Sequence, residues 1–322
     1  MATALLFERD TVGEVDDWEG LVDRLHRSSI LWIDLGKPDV AEVQRLSESL
    51  ELDSASIERL SSTDDEPFFG DFGSYLHVNV YAPSADARHN DFVSIDCVVG
   101  ERWLVTVHSH DADVIENFRR RASDGTGETG RLDGLEFLAT LLEWVLNAYL
   151  EAFDRIEDDL GEFDARVLEG RLEDAEAELR RLVGLRREIR GLRKALVAPR
   201  EMFLALTRPE LEAIASSSHA ERFGSLRSRL EDAIQGARDS RDSIVGSFDV
   251  LIARNEQRQN EVMKVLTLAS VLFLPGALLA GVLGMNFKVG FFDHASLFWV
   301  VVAIIAGMIV ATLVAARLRK WI

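Results

Sequence analysis

Two places in this chain hold residues able to handle a metal ion. Near the C-terminus, Gly284-Met285-Asn286 follows a long uncharged run. Asn286 cannot ionise, so it tolerates an interface, and its carbonyl can face a cation or the waters around it. Gly284 allows close backbone approach and an exposed carbonyl. Taken alone, Gly then Asn is also a plain helix C-cap. Just beyond lie Lys288, Asp293 and His294. A loop imidazole can take Zn2+ or a proton, although a lone loop histidine is more often incidental. In the other place, His108-Ser109-His110 with Asp111 and Asp113 offers two imidazoles and two carboxylates. That donor set suits a hydrolase metal site on a membrane-anchored enzyme. No third spaced motif accompanies it. Its position, a strand end running into a helix cap, makes capping and solvation the expected role. The single cysteine, Cys97, excludes a disulfide framework or a thiolate cluster within one chain.

The surroundings of Asn286 decide what it can do. The 322 residues carry 36 Lys+Arg against 55 Asp+Glu, a formal net charge of −19. That acidity argues against a nucleic-acid partner, because phosphate recognition needs a basic footprint. The charge is unevenly spread. Glu261 to Ile322 has two acids and five bases, or +3, which leaves −22 on residues 1–260. Two uncharged runs stand inside this last segment: Val265 to Leu283, 19 residues, and Leu297 to Ala316, 20 residues. At about 1.5 Å per residue each matches a bilayer core of about 30 Å. A pair of buried core helices is the alternative, but two successive runs of this length favour membrane spans. Arg254, Arg258 and Lys264 precede the first run, and Arg317, Arg319 and Lys320 follow the second. The connecting loop has only Lys288 and Asp293 as charges. The positive-inside rule then places both termini in the cytoplasm of an inner (plasma) membrane. The N-terminus lacks a basic stretch followed by an apolar run, so no signal peptide is expected.

The remaining elements must carry these spans. Residues 1–131 read as a cytoplasmic α/β domain. Ile30 to Leu35 is a short apolar strand pattern, Val40 to Leu50 has helical spacing, and Tyr75 to Tyr81 alternates. Phe92 to Val99 and Arg102 to Val107 read as a hairpin around Gly100-Glu101. Asp111 or Asp113 caps a helix through Arg121. The sheet is covered by helices, parallel or mixed. A Gly-rich polar loop, Ala122 to Arg131, ends the domain. Residues 132–218 read as a helical hairpin and connecting helices. Glu151 to Asp164 has seven acids and one Arg; Arg180 to Lys194 has seven bases and one acid. Folded back near Glu169-Gly170, the blocks face each other and set the register. Cation attraction and lipid head groups are the functional alternatives. Residues 219–283 form one long helix with Pro275 inside it and the first span, 265–283, at its end. About 65 residues is roughly 95 Å of helix, which needs partners along its length. A loop (284–296), a second span (297–316) and a basic tail (317–322) complete the chain.

Three matches resemble the CorA-type family of divalent-cation channels: Gly284-Met285-Asn286-Phe287 after the penultimate span, Asn260-Glu-Val-Met-Lys-Val-Leu-Thr267 before it with Pro275 in its middle, and the tail Arg317-Leu-Arg-Lys-Trp321. The strand Trp32-Ile-Asp34 adds weaker support. The resemblance implies a homopentameric channel, not an enzyme: an α/β N-terminal cytoplasmic domain, a long helical hairpin and stalk helix, and two C-terminal transmembrane helices. It implies a selectivity filter at Gly284, Met285 and Asn286, a hydrophobic gate at Met263 and Leu266, and polar pore positions at Asp249 and Asn260. It implies no organic cofactor. It implies Mg2+ as the transported ion, with Co2+ and Ni2+ as companions, and cytoplasmic Mg2+ between acidic subunits that holds the channel shut. Candidates for that regulatory site, by location only, are Glu231, Asp232, Asp239 and Asp242. Physics agrees with an amide filter. Mg2+ sheds water reluctantly, so a ring of Asn carbonyls that hydrogen-bonds the hydrated ion is apt. A divalent ion gains about 4.6 kcal/mol per 100 mV, so no pump is required. No nucleotide fingerprint is found.

The chain also departs from the pattern. Leu283 stands where the family has Tyr. The loop Phe287 to Ser296 lacks the acids that follow the filter in many magnesium members, and Lys288 adds positive charge at the mouth, with Asp293 to offset it and His294 beside it. This leaves open the zinc-transporting branch of the family, with proton coupling. The other readings are the anchored hydrolase and a membrane-tethered coiled-coil adaptor.

Overall fold

The computed structural model describes residues 2–8, 11–26, 28–62, 67–84, 92–108, 112–124, 132–170, 175–208, 217–285 and 295–318. The chain divides into two compact units, Met1–Phe248 and Asp249–Ile322.

The first unit is built on a seven-stranded sheet. Its strands are β1 (Ala2–Phe7), β2 (Val12–Glu14), β3 (Ile30–Gly36), β4 (Phe69–Asp71), β5 (Leu76–Pro83), β6 (Phe92–Val99) and β7 (Trp103–His108). Their order is β2-β1-β3-β7-β6-β5-β4. The sheet is mixed: β3 and β7 run parallel, and the other neighbours are antiparallel. The choice between parallel and mixed, open in the sequence, falls to long-range pairing. β1, β2 and β4 were not expected; β2 and β4 are three-residue edge strands, which leave little periodic signal, while β1 lies inside the sheet between β2 and β3.

β3 is apolar but for Asp34 and buried along nearly its whole length, because both of its faces are covered. On one face Leu31, Ile33 and Leu35 meet Val43 and Leu46 of α1 (Val40–Ser49) and Leu60 of α2 (Ser54–Ser61). On the other face Trp32 lies edge-on to Phe118 of α3 (Asp113–Asp124), ring centroids 5.3 Å apart. It meets Phe137 of α4 (Gly134–Leu168) at 5.8 Å. Aromatic pairs of this kind add about 0.5–1.5 kcal/mol each beyond burial. Trp32 Nε1 is satisfied by donating to Thr106 Oγ1 at 3.0 Å.

Close backbone contact fixes where α4 starts. Asp133 caps the helix by accepting from Glu136 N at 2.9 Å. Gly134 N donates to Glu101 O at 2.9 Å. A Cβ on Gly134 would stand 1.9 Å from the Gly100 carbonyl oxygen, so only glycine fits.

α4 turns back at Gly170, whose φ of 73° is left-handed, into α5 (Ala175–Val197). Arg181 meets Asp159 at 2.8 Å, as the opposed blocks require. Arg166 meets Glu178 at 3.3 Å in the opposite sense. These pairs are partly exposed and set register more than strength. The seam itself is apolar, with Leu160, Phe163 and Val167 on one helix and Leu182, Leu185 and Ile189 on the other, all buried. Burial pushes the Glu188 carboxyl up, although Arg155 opposes it.

After α6 (Arg200–Ala205), α7 runs unbroken over Ser217–Leu283. Within the first unit it lies parallel to α4. Glu143 takes Arg222 at 2.6 Å and Arg229 at 3.0 Å, and Arg229 also donates to Asn147 at 3.1 Å. Acids of α4 therefore serve α7 as well as α5, which the block pattern did not suggest. Phe223, Leu226, Leu230, Ala233, Ala237, Ser240, Ile244 and Ser247 are buried along α7, alternating by three and four residues as in a coiled-coil seam, and Ile234 is buried beside them.

Replacing Gly134 with Ala forces a side chain into a backbone carbonyl. A loss of about 1–3 kcal/mol is expected, read as a lower melting temperature by circular dichroism of the full chain in detergent.

Candidate ion pathway

The second unit holds the last part of α7 and α8 (Ala295–Leu318). Both are long and apolar enough to cross a bilayer, and none of the most apolar 18-residue stretch of α7 is buried within the subunit. α8 extends two residues beyond each end of the uncharged run. Pro275 lies inside α7 without ending it; proline is tolerated where neighbouring groups satisfy the freed carbonyl. Ile305 of α8 comes beside Gly276: a Cβ there would sit 3.6 Å from Ile305 Cγ2.

The sequence-derived pore positions among the described residues are all exposed, as is most of the helix around them. Asp249 and Asn260 are exposed, and Met263 and Leu266 keep 56% and 58% of their surface. Asn260 and Met263 share one shallow groove with Glu256 and Thr267. Leu266 falls in an adjoining groove with Val262, Val265 and Ala269. The two gate residues are thus neighbours around the helix and do not lie on one line in a straight α-helix. Gly284 continues the helix by donating from its N to Ala280 O at 2.9 Å, and Met285 follows, half exposed, with its N 3.3 Å from Val282 O. Asn286, Lys288, Asp293 and His294 lie outside the described residues.

Asp249, Met263 and Gly284 are separated by multiples of seven. Filling in the count gives Asp249, Glu256, Met263, Ser270, Ala277 and Gly284, and all six are exposed. A straight helix drifts about 20° per heptad, so such a line stays straight only in a left-handed supercoil. Sequence reasoning missed Glu256 and Ser270, although the same count was available. Ser270 donates to Leu266 O at 2.9 Å, which keeps its hydroxyl satisfied inside an apolar stretch.

The regulatory candidates do not converge within the chain. Glu231 takes Arg200 at 2.9 Å. Asp239 accepts from Gln235 at 2.8 Å, and Asp242 stands 3.8 Å from Arg241. Asp232 is exposed.

His108 is not solvated. His108 is buried at the end of β7, its Nε2 3.4 Å from Asp34 Oδ1. Asp34 also accepts from Thr106 Oγ1 and from Arg119 Nη2, each at 2.6 Å. Long-range pairing of β3 with β7 draws His108 inward, which local spacing could not reveal. Asp113 sits in the first turn of α3; His110 and Asp111 lie outside the described residues. Burial alone would raise the Asp34 carboxyl, but hydrogen bonds from His108 and Thr106 and the charges of His108 and Arg119 hold it below the usual range.

A second chain lies on the other sheet face. Ser56 Oγ is 3.1 Å from His77 Nδ1, and His77 Nε2 is 3.3 Å from Asp96 Oδ1. Arg59 pairs with the same Asp96 at 3.3 Å, and Tyr75 donates to Ser56 at 3.0 Å. The residue types are those of a hydrolytic triad. Ser56 and His77 have no exposed surface, however, so a substrate cannot reach them. Burial also pushes the Cys97 thiol up, away from thiolate chemistry.

The model of the CorA-like Mg2+ transporter protein family matches residues 27–320. The chain belongs to that family. Its function is therefore that of a divalent-cation transporter and not of an enzyme. The Cobalt/magnesium transport protein CorA of Methanocaldococcus jannaschii is 24% identical over 307 residues, spanning 91% of this chain and 92% of that protein. The protein of the same description from Thermotoga maritima is 22% identical over 312 residues, spanning 95% and 87%. The complete structure of the CorA magnesium transporter from Methanocaldococcus jannaschii superposes with a TM-score of 0.77 at 20% identity, covering 100% of this chain and 99% of that one. The CorA fold thus extends over both units taken individually.

Asp34 gives a pH prediction. A depressed folded-state pKa contributes stability that is complete above the unfolded value, about 3.9, and is lost as pH falls through the folded value. Unfolding of the full chain should become easier below about pH 4. Asp34→Ala, which takes a shared acceptor from Thr106 and Arg119, should cost about 1–3 kcal/mol at neutral pH and flatten that acid limb. Denaturant melts against pH measure both.

Proposed function

We propose that this CorA-family chain is a channel that imports hydrated Mg2+ down its electrochemical gradient through a pore of five identical subunits, with Co2+ and Ni2+ as further cargo. The observation that carries this reading is the seven-residue line on α7, from Asp249 through Glu256, Met263 and Ser270 to Gly284. Its residues are exposed, as is most of the helix around them, and the apolar stretch of that helix is unburied in one chain. Copies packed side by side would bury the flanks of that helix and turn the line inward. The names of the two CorA relatives, magnesium with cobalt, support the choice of cargo.

The roles follow from side-chain chemistry. Gly284, Met285 and Asn286 form the outer filter, where amide carbonyls accept hydrogen bonds from the waters of the ion. No charged ring grips it, so release stays fast. Met263 and Leu266 close the conduit by excluding water. Asp249 and Asn260 concentrate cations at the cytoplasmic end, and Glu256 adds a carboxylate between them. Both termini face the cytoplasm, as the flanking bases require. Regulation by cytoplasmic Mg2+ uses acids such as Glu231, Asp232, Asp239 and Asp242 only where two subunits meet.

The sequence of the mouth favours one rival, the zinc-transporting branch: Lys288 and His294 stand where acids are expected. Flux into proteoliposomes separates them. Mg2+ should enter without ATP, and Asn286→Ala should reduce that flux by about tenfold or more while the assembly keeps its size. Zn2+ flux alone, enhanced by inward acid, moves the assignment to the zinc branch. Unchanged Mg2+ flux in Asn286→Ala removes the filter role. Met263→Ser, which wets the constriction, should raise resting flux in Mg2+-replete vesicles.

A further inference from the structure

Away from the pathway, three side chains of the first unit converge without a role in transport. Asp133 caps α4, Glu136 is three residues on, and His219 lies in the first turn of α7. One donor atom from each lies within 4.8 Å of the others. His219 Nε2 is already 2.7 Å from Asp133 Oδ2.

A comparison within the chain shows that this is more than a cap. α1 begins with the same Asp-x-x-Glu pattern, Asp39 and Glu42. There both bonds of a capping box form: Glu42 N donates to Asp39 Oδ1 at 2.8 Å, and Asp39 N donates back to Glu42 Oε2 at 3.1 Å. At α4 only the first bond is made. The Glu136 carboxylate faces Asp133 and His219 instead of closing the box. Two carboxylates so close repel, and among the described residues no Lys or Arg pairs with either. The starts of two helices add positive potential at this point, but two full negative charges outweigh such partial ones.

We propose that Asp133, Glu136 and His219 bind one borderline transition-metal ion, Zn2+ or Co2+, within a single subunit. The donor set decides the class. Mg2+ takes oxygen ligands and keeps its waters, whereas an imidazole nitrogen with carboxylates suits Zn2+ and its neighbours. Donors at about 2.0–2.2 Å from such an ion stand about 3–4 Å apart. His219 and Asp133 therefore separate slightly on binding while Glu136 closes in. His219 keeps 13% and Asp133 33% of side-chain exposure, so an ion reaches the site without unfolding. Bound there, it pins the first turn of α7 to α4, and through Gly134 to the β6–β7 turn. The site does not depend on the pore reading, since binding and Mg2+ flux are measured separately.

Calorimetric titration of the detergent-solubilised full chain with Zn2+, in excess Mg2+ to occupy hard-cation sites, is the test. The wild type should show one Zn2+ per chain by this site and a Zn2+-dependent rise in melting temperature. His219→Gln and Glu136→Gln should each weaken that binding by about tenfold or more and abolish the rise. Glu136→Gln leaves the Asp133 cap and the His219–Asp133 contact in place, so loss of folding does not confuse the result. Zn2+ affinity and stoichiometry in Glu136→Gln equal to wild type overturns the proposal, whatever His219→Gln does.

Discussion

A helix of 67 residues draws most of its stability from what packs against it, and much of this protein answers that constraint. α7 must find partners along its length or dissolve into solvent. In the first unit it finds α4. Residues at alternating spacings of three and four turn toward that neighbour and are buried, and Glu143 holds two arginines of α7 across the contact. Beyond Asp249 the partner changes. Apolar residues there are exposed in one subunit, so the hydrophobic effect must be satisfied by lipid or by further copies. A backbone crossing lipid must also bond internally, which is why the chain stays helical through Pro275.

The sheet holds the other end. It has a buried polar chain on each face: Asp34 with Thr106, His108 and Arg119 beneath α3, and Asp96 with His77, Ser56 and Arg59 beneath α2. Each links a covering helix to two strands. Buried ionic groups add little net stability over apolar ones, yet breaking one partner is costly. Their effect here is specificity. Each helix has one seating that satisfies its polar groups. In residue type both chains mimic catalytic or metal sites; burial is what separates a structural use from a chemical one.

The polar residues of the second unit are arranged by the same economy. Thr267 and Ser270 lie within an apolar stretch, and Ser270 bonds to the carbonyl four residues before it. A satisfied hydroxyl costs little in lipid and can still turn toward water. An amide at position 286 has the same merit: it is polar without a charge that would have to be desolvated.

How much of this was legible depends on the range over which each signal acts. Two uncharged runs, the bases flanking them, and Gly-Met-Asn between them are local patterns, and they sufficed for the membrane spans and the family. The heptad line was equally local, and counting by seven would have found Glu256 and Ser270. The acidic block of α4 was legible as a block, but the use of Glu143, an acid before it, by α7 was not, because only packing brings Arg222 and Arg229 to Glu143. His108 shows the limit most clearly. Its neighbours in sequence suggest a cap or a metal site, whereas its partner Asp34 lies 74 positions away and meets it only because β3 and β7 pair in parallel. So too His219 and Asp133, remote in sequence, touch because α7 lies along α4. Sequence by itself determined what periodicity and charge determine: where the chain crosses lipid, and which helix must find company. Tertiary structure decided which distant charges share a neighbourhood, since those meetings are set by strand order and helix register, which no short window of residues contains.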